Sequence, residues 1–416
     1  MKKLLAILLA ALMVISMAAC NNAGKKDEKV EITFICAAYS TETEPFLKKL
    51  CETFEKENEN VKVNLEVVGW DTISDRIAAL VGAGQAPDIF NGDQASEWVP
   101  DGLVYEVEDI ISKELKADFY QQFWNNNIST YDGKVYSVPY LASVRALYCN
   151  KKIMDAAGAE VPKTWDDVYT ACEKIKAYDP NIYAWGIDAT TTEGQTMIAY
   201  YGWSNGGGYV DANDNWILNS EGNVGGYEFA YDLYQKGYTN QNPSTDTRDN
   251  MQALVNEGKM AMLVTACFFP ALYPDLELEI GAIPYNAKTQ TASSTLGVQD
   301  AMLFFNEKAK GKKDSDAKKE ALKKFADYFY SADNYVAFMI QEGMLPATQS
   351  GVKALAEKNP DQAAYLDVLA GAKFYARNRA DWVEGQNAAI QAAQEMFAGQ
   401  KTPKQALDDA QAKVQK

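Results

Sequence analysis

The chain opens on an apolar run, 4–17, broken only by Ser16, behind Lys2 and Lys3. A bilayer crossing needs about 20 such residues, so this run reads as the core of an export signal over 1–19. A polar stretch, NNAGKKDEK over 21–29, has no β-branched or aromatic residue and reads as a flexible tether. Beyond it two periods alternate. Residues 31–37 read as a strand. Phe46, Leu50 and Phe54 then recur at every fourth position behind Pro45, which predicts a helix over 45–58. Val61, Val63, Leu65 and Val67 alternate as a half-buried strand does. A helix over 72–81 and a short strand over 88–90 follow. This order predicts a parallel sheet with helices on its faces.

A second unit of the same kind begins after Pro139. Thr164 ahead of Asp167 forms a capping box for a helix over 164–177, with Trp165, Val168, Cys172 and Ile175 as its buried stripe. Strands are expected over 184–188, 260–265 and 301–305. Helices are expected over 225–236, 249–258, 318–330, 334–342, 360–370 and 382–399. No repeat of 20–50 residues occurs, and no later run approaches the length of a membrane span. A chain of 416 residues, 47% hydrophobic, exceeds one comfortable core, so two lobes are expected.

The formal net charge is −17. Such a surface repels phosphate and anionic lipid, which argues against nucleic acid as a partner. Besides Cys20, the cysteines are Cys36, Cys51, Cys149, Cys172 and Cys267. Their odd number, scattered spacing and apolar neighbours read as buried free thiols.

The absence of histidine removes most catalytic chemistry. Residues 202–206 (GWSNG) match the G-x-S-x-G nucleophile elbow, but no imidazole is available as its base. With no histidine and no clustered cysteines, a zinc site is not expected either. Asp211, Asn213 and Asn215 imitate the start of a calcium loop, but Trp216 takes the glycine position and Gly222 that of the final glutamate. A turn between strands is the better reading. No Gly-Lys-[Ser/Thr] follows the glycines at 82–84 or 206–208, and no carboxylate spacing singles out a glycosidase pair. No catalytic residue, metal or cofactor is therefore expected.

Met17-Ala18-Ala19-Cys20 resembles a bacterial lipobox, with Met17 where Leu is more usual. Cys20 would then carry a diacylglycerol, and two or three acyl chains hold a stable anchor. Seven further stretches are GQAPDI (84–89), YDGKVYSVP (131–139), ALYCNK (146–151), GAEVPKTWDD (158–167), NEGKMAM (256–262), MLPA (344–347) and KTPKQALDDA (401–410). In order and content they resemble elements of extracellular solute-binding protein family 1 of ABC importers, with Cys149 where Tyr is commoner. The resemblance implies a two-lobed α/β fold of the periplasmic-binding-protein type II kind. Each lobe would be a mostly parallel sheet flanked by helices, with a hinged cleft between them. It places chain crossings near Pro139, 297–300 and 343–346. The N-terminal lobe would be 30–138 plus 300–344, and the C-terminal lobe 139–299 plus 345–416. It implies a monomeric, lipid-anchored protein on the outer face of the cell membrane. Such a protein hands a small molecule, in most members a carbohydrate, to the membrane-spanning subunits of an importer. A sugar phosphate, a polyamine or a ligand-presenting role beside a sensor kinase are the alternatives.

Sugar recognition needs flat apolar faces and rigid polar pairs. The 24 tyrosines and 8 tryptophans are more than a site can use, so position must select. Ligands of open α/β sheets sit beyond the C-terminal ends of the strands. Loops there point to Tyr39 after the first strand, Trp70 after the second, and Asp93 and Gln94 after the third. Arg145 follows at the first crossing, Trp203 and Phe268 in the second lobe, Asp300 at the second crossing, and Arg377 near the end. Asp93 would accept hydroxyls, Arg377 would donate, and Trp203 would stack. Trp70 could instead pack a lobe, and Arg377 could form an interlobe ion pair. Trp165 and Trp185 read as core.

Overall fold

Strand β1 (Val30–Ala37) and strand β2 (Val61–Val68) pair in parallel, from Val30 opposite Val61 to Ala37 opposite Val68. The intervening helix Thr43–Glu57 buries Leu47, Leu50, Cys51 and Phe54 on the sheet; Leu50 and Phe54 are as the spacing predicts, while Phe46 is only partly buried and Leu47 takes its place. Helix Ile73–Gly82 then leads to β3 (Ile89–Asn91), which joins β1 in parallel. The computed structural model describes residues 29–415, apart from 93–94, 126–129, 291, 378 and 380. Cys20, Asp93 and Gln94, singled out above, lie outside the described residues.

Strands β4 (Thr130–Tyr131) and β5 (Lys134–Val135) form a hairpin through Asp132 and Gly133. Both turn residues have positive φ, 48° and 76°, the conformation that an Asp-Gly pair favours in a two-residue hairpin. The chain then enters β6 (Ser137–Asn150), all of which is buried. The remaining strands are β7 (Tyr183–Trp185), β8 (Met260–Ala266), β9 (Leu278–Gly281) and β10 (Gly297–Phe304). Their order is β2-β1-β3-β10-β6-β8-β7, with β9 also on β6.

β6 carries the change of lobe. Its first half, Ser137 to Val144, pairs with β10, and Arg145 to Cys149 pair with β8. The partner switches at Val144–Arg145. There the Arg145 amide donates to the Leu296 carbonyl (3.0 Å) and the Cys267 amide to the Val144 carbonyl (2.9 Å). The β10–β6 register shifts between Asp300 and Ala301, because β6 carries one extra residue there, Tyr140, opposite consecutive residues of β10.

Two apolar cores follow from this arrangement. One gathers Phe34, Phe54, Phe325, Phe329 and Phe338; the other gathers Trp165, Trp185, Tyr201, Trp216, Phe229 and Trp382. Leu345, Ala347, Leu355 and Leu369 pack in the first core, although the sequence places 345–416 with the second lobe. The chain returns at Lys373, whose carbonyl accepts from the Gly297 amide (2.8 Å), and Tyr375 joins the second core.

Locally, the capping box at Thr164 and Asp167 forms as its spacing predicts. The strand expected over 184–188 ends at Trp185, because a side chain replaces the next strand. Asn240 Oδ1 accepts from the Ile187 amide (2.9 Å) and its Nδ2 donates to the Ile187 carbonyl (3.0 Å). The single helix expected over 360–370 is two, Pro360–Ala363 and Tyr365–Ala370. Asp211 Oδ1 accepts from the amides of Asn213 (2.8 Å) and Asn215 (2.9 Å), the turn expected there. Among the described residues no helix is long and apolar enough to cross a membrane, and the five cysteines are buried and unpaired.

Candidate functional site

The loop after β1 is fixed from below. Thr43 Oγ1 accepts from the amides of Tyr39 and Ser40, both at 2.9 Å, and donates to Glu342 (3.0 Å). This holds the Tyr39 ring over the sheet's C-terminal edge. Its hydroxyl donates to Asp300 Oδ2 at 2.8 Å and lies 3.1 Å from Asn91 Oδ1. The edge of Trp70 meets Tyr39 at 5.5 Å and 81°, and the indole is 42% exposed. Three of the residues selected from sequence, on β10 and two separate loops, thus come together.

Asp300 is the electrostatic centre of this group. Burial pushes its carboxyl up to about 6, against the pull of the Tyr39 hydroxyl and of Arg145 and Arg248. Those guanidinium groups stand on the facing wall. Arg145, 6% exposed, donates from Nη1 to Ser143 Oγ (3.0 Å) and from Nε to the Tyr200 hydroxyl (3.2 Å). Its Nη2 lies 3.9 Å from Glu193 Oε1, which also accepts from Arg248 Nη1 at 2.7 Å. Burial opposes the charge on Arg145, but Tyr200 and Glu193 outweigh it and its pKa rises. The Arg248 guanidinium sits 5.2 Å above the Phe268 ring. Phe268 is therefore a floor already covered by a cation.

Trp203 and Arg377 belong to a neighbouring aromatic group. Trp203 is 5% exposed, meets Tyr209 edge-on at 5.8 Å, and carries the Lys373 ammonium 5.7 Å above its ring. Burial lowers the Lys373 pKa. Tyr209 in turn meets Tyr375 at 5.6 Å, and the Arg377 guanidinium lies 5.1 Å from the Tyr375 ring. Burial pulls Arg377 down to about 10.

The serine of the 202–206 motif, Ser204, is fully buried on a tight turn, and its hydroxyl has no hydrogen-bond partner among the described residues. This is the geometry of a packed serine rather than an exposed elbow.

Asn91, the last residue of β3, also meets the strand-end rule, whereas Glu193 and Tyr200 lie well beyond the end of β7 and carry no such mark. Arg248 follows no strand, and no local pattern marks it.

The profile of the bacterial extracellular solute-binding protein family matches residues 37–336. A protein of Brucella abortus (strain 2308) is 28% identical over 98% of this chain and 96% of its own length. The multiple sugar-binding protein of Streptococcus mutans is 25% identical over 85% of this chain and 84% of its own. Among solved structures, maltose-bound MalE3 of T. maritima superposes with a TM-score of 0.81, covering 92% of this chain and 99% of that one, at 19% identity.

Proposed function

The chain belongs to the bacterial extracellular solute-binding protein family, and we propose that it captures a sugar or short oligosaccharide between its lobes and delivers it to the permease of an ABC importer. The observation that carries the reading is the pairing of an acceptor group, Tyr39–Asp300–Asn91, with a donor group, Arg145–Glu193–Arg248, beside the exposed indole of Trp70. A sugar hydroxyl both donates and accepts, so it matches alternating carboxylate and guanidinium, and the indole suits a ring's C–H face.

In this reading Tyr39, Trp70, Arg145 and Asp300 touch ligand, joined by Asp93 and Gln94 on the loop after β3. Phe268 and Trp203 back the wall behind Arg248 and Lys373, and Arg377 lies at its rim. The lobes are 30–144 with 297–371, and 145–296 with 372–415. They close about Val144–Arg145 and Leu296–Gly297 by a hinge motion. Cys20 carries the lipid, and the tether spaces the domain from the outer face of the membrane. The protein acts as a monomer and performs no chemistry of its own.

An anionic solute such as a sugar phosphate would draw on Arg145 and Arg248. Both already share Glu193, which leaves them poorer anion receptors than hydroxyl donors.

The test is a thermal-shift screen of the purified protein against mono-, di- and oligosaccharides, glycerol phosphates and polyamines. A ligand at about 1,000 times its Kd adds about 4 kcal/mol to stability, several degrees in a chain of this size. A shift with one carbohydrate class supports the reading. A shift confined to phosphates or polyamines overturns it.

A further inference from the structure

Behind the Arg145–Glu193–Arg248 wall lies a cavity of about 20 Å³, lined by Gly186, Asp188, Glu193, Thr196, Tyr200 and Arg248 among others. That is room for roughly one water-sized group. Its apolar side is core, with Met197, Tyr201, Met251 and Leu263, and its polar side is Glu193, Tyr200 and Arg248, which it shares with the wall.

The polar inventory of this cavity is unbalanced in one place. Both guanidinium groups are engaged by Glu193. Asp188 uses Oδ1 to accept from the Thr190 amide (2.9 Å) and hydroxyl (2.7 Å). Its other oxygen, Oδ2, is buried and has no hydrogen-bond partner among the described residues. A buried acceptor left unmade is costly, and a donor delivered to it recovers that cost. Burial first, then Glu193, pushes the Asp188 carboxyl up to about 7, against the pull of the Thr190 hydrogen bonds and of Arg248.

We infer that this cavity is an end subsite of the ligand cleft, in which Asp188 Oδ2 accepts a hydrogen bond from one terminal hydroxyl of the bound sugar. The volume admits that group and no ring. The two carboxylates reject a terminal phosphate or carboxylate, so the subsite restricts the ligand class to neutral polyols. Asp188 is then a specificity residue with no sequence signal beyond its place after β7. The inference rests on the sugar reading above.

The test is calorimetric titration of the purified wild-type protein and Asp188→Asn with the tightest-binding sugar of the screen. The deoxy counterparts lacking each hydroxyl in turn, and the terminal phosphate, are titrated beside it. Asparagine keeps the Oδ1 contacts to Thr190 and presents a donor where Oδ2 was. Asp188→Asn should bind roughly 10- to 100-fold more weakly, the range for a hydrogen bond to a charged group. One deoxy sugar should lose as much on wild type but nothing further on Asp188→Asn, and the phosphate should not bind. Wild-type affinity in Asp188→Asn, additive losses, or tighter binding of the phosphate would overturn the inference and leave the sugar reading standing. If no sugar binds the wild type, both fall. If Asp188→Asn lowers the unfolding midpoint by more than a few degrees, the deoxy series on wild type decides alone: equal affinity throughout it overturns the subsite.

Discussion

The Tyr39 hydroxyl donates to Asp300 Oδ2 at 2.8 Å, tying the loop after β1 to the point in β10 where its register with β6 shifts. Asp300 stands four residues past Leu296, whose carbonyl accepts from the Arg145 amide, so this bond joins the loop after β1 to the strand pair in which β6 changes partner. A phenol has one proton, and Asn91 Oδ1 lies 3.1 Å from the same oxygen. The Tyr39 donor can thus be lent to Asn91 when a ligand hydroxyl reaches Asp300.

Tyr39→Phe should test that bond directly. It removes the donor, so the Asp300 carboxyl should titrate higher than about 6. Sugar affinity should fall at least ~10-fold, since a hydrogen bond to a charged group contributes about 1.5–3 kcal/mol. Titration calorimetry against wild type reads this. An unchanged Kd would remove the pair from the site.

The pH dependence follows from the two raised carboxyls, Asp300 at about 6 and Asp188 at about 7. Unfolded aspartate titrates near 3.9. Between about pH 4 and 7 the native state therefore binds more protons than the unfolded chain, and stability falls as pH rises through that window. Below it the trend should reverse as groups held low, such as Asp381 beside Arg379, take up protons. The midpoint of the ligand-free protein should accordingly drop from pH 5 to pH 7.5, and Asp188→Asn with Asp300→Asn should flatten that slope. An undiminished slope in the double variant would contradict it.

Local features were the readable part of this sequence. The Thr164 box and the Phe46, Leu50 and Phe54 stripe each depend on neighbours within a few residues, and each forms as its spacing predicts apart from Phe46, which is only partly buried. β6 was harder. SVPYLASVRALYCN is buried throughout, so it has no alternation to display, and its change of partner is decided by β8 and β10, more than a hundred residues away. The site divides the same way. Tyr39, Trp70 and Asp300 stand near strand ends or crossings and could be selected there. Arg248 enters only through Glu193, 55 positions earlier, and Arg145 meets Tyr200 at the same separation. Such pairs leave no mark on a single sequence.

Asp88, in the 84–89 motif, should prove structural. It is 1% exposed and bonded to the Thr33 amide (2.8 Å), to Lys318 Nζ (3.1 Å) and to Lys310. Burial pushes its carboxyl up, but Lys310 and Lys318 pull it below the usual range. Asp88→Ala leaves two half-buried lysines without their shared carboxylate, Lys310 keeping Glu307 and Lys318 the Glu31 carbonyl, and should cost about 3 kcal/mol. Denaturant unfolding should show this loss, with sugar affinity unchanged in the folded fraction. A neutral substitution would argue that the lysines reach solvent.

The five cysteines should resist alkylation. Burial pushes their thiols up, to about 11 for Cys267 and about 12 for Cys51, so neither thiolate nor access is available at neutral pH. Mass spectrometry after iodoacetamide should find Cys36, Cys51, Cys149, Cys172 and Cys267 unmodified in the native protein and modified in denaturant. Rapid native labelling at any of them would contradict the packing.

Two tryptophans should separate binding from stability. Trp70 is 42% exposed and leans edge-on against Tyr39, so little packing is lost when it is removed. Trp203 is 5% exposed and packed between Tyr209 and the Lys373 ammonium. Truncating a buried indole costs about 3–5 kcal/mol. Trp203→Ala should therefore lose that much stability in denaturant. Trp70→Ala should keep its midpoint within about 1 kcal/mol of wild type while sugar affinity falls ~10-fold or more, the expected loss of a stacking face at a site's rim. If instead Trp203→Ala folds normally and loses binding, the indole faces ligand and the cleft extends past Lys373. If Trp70→Ala binds as wild type, ring stacking must come from another aromatic.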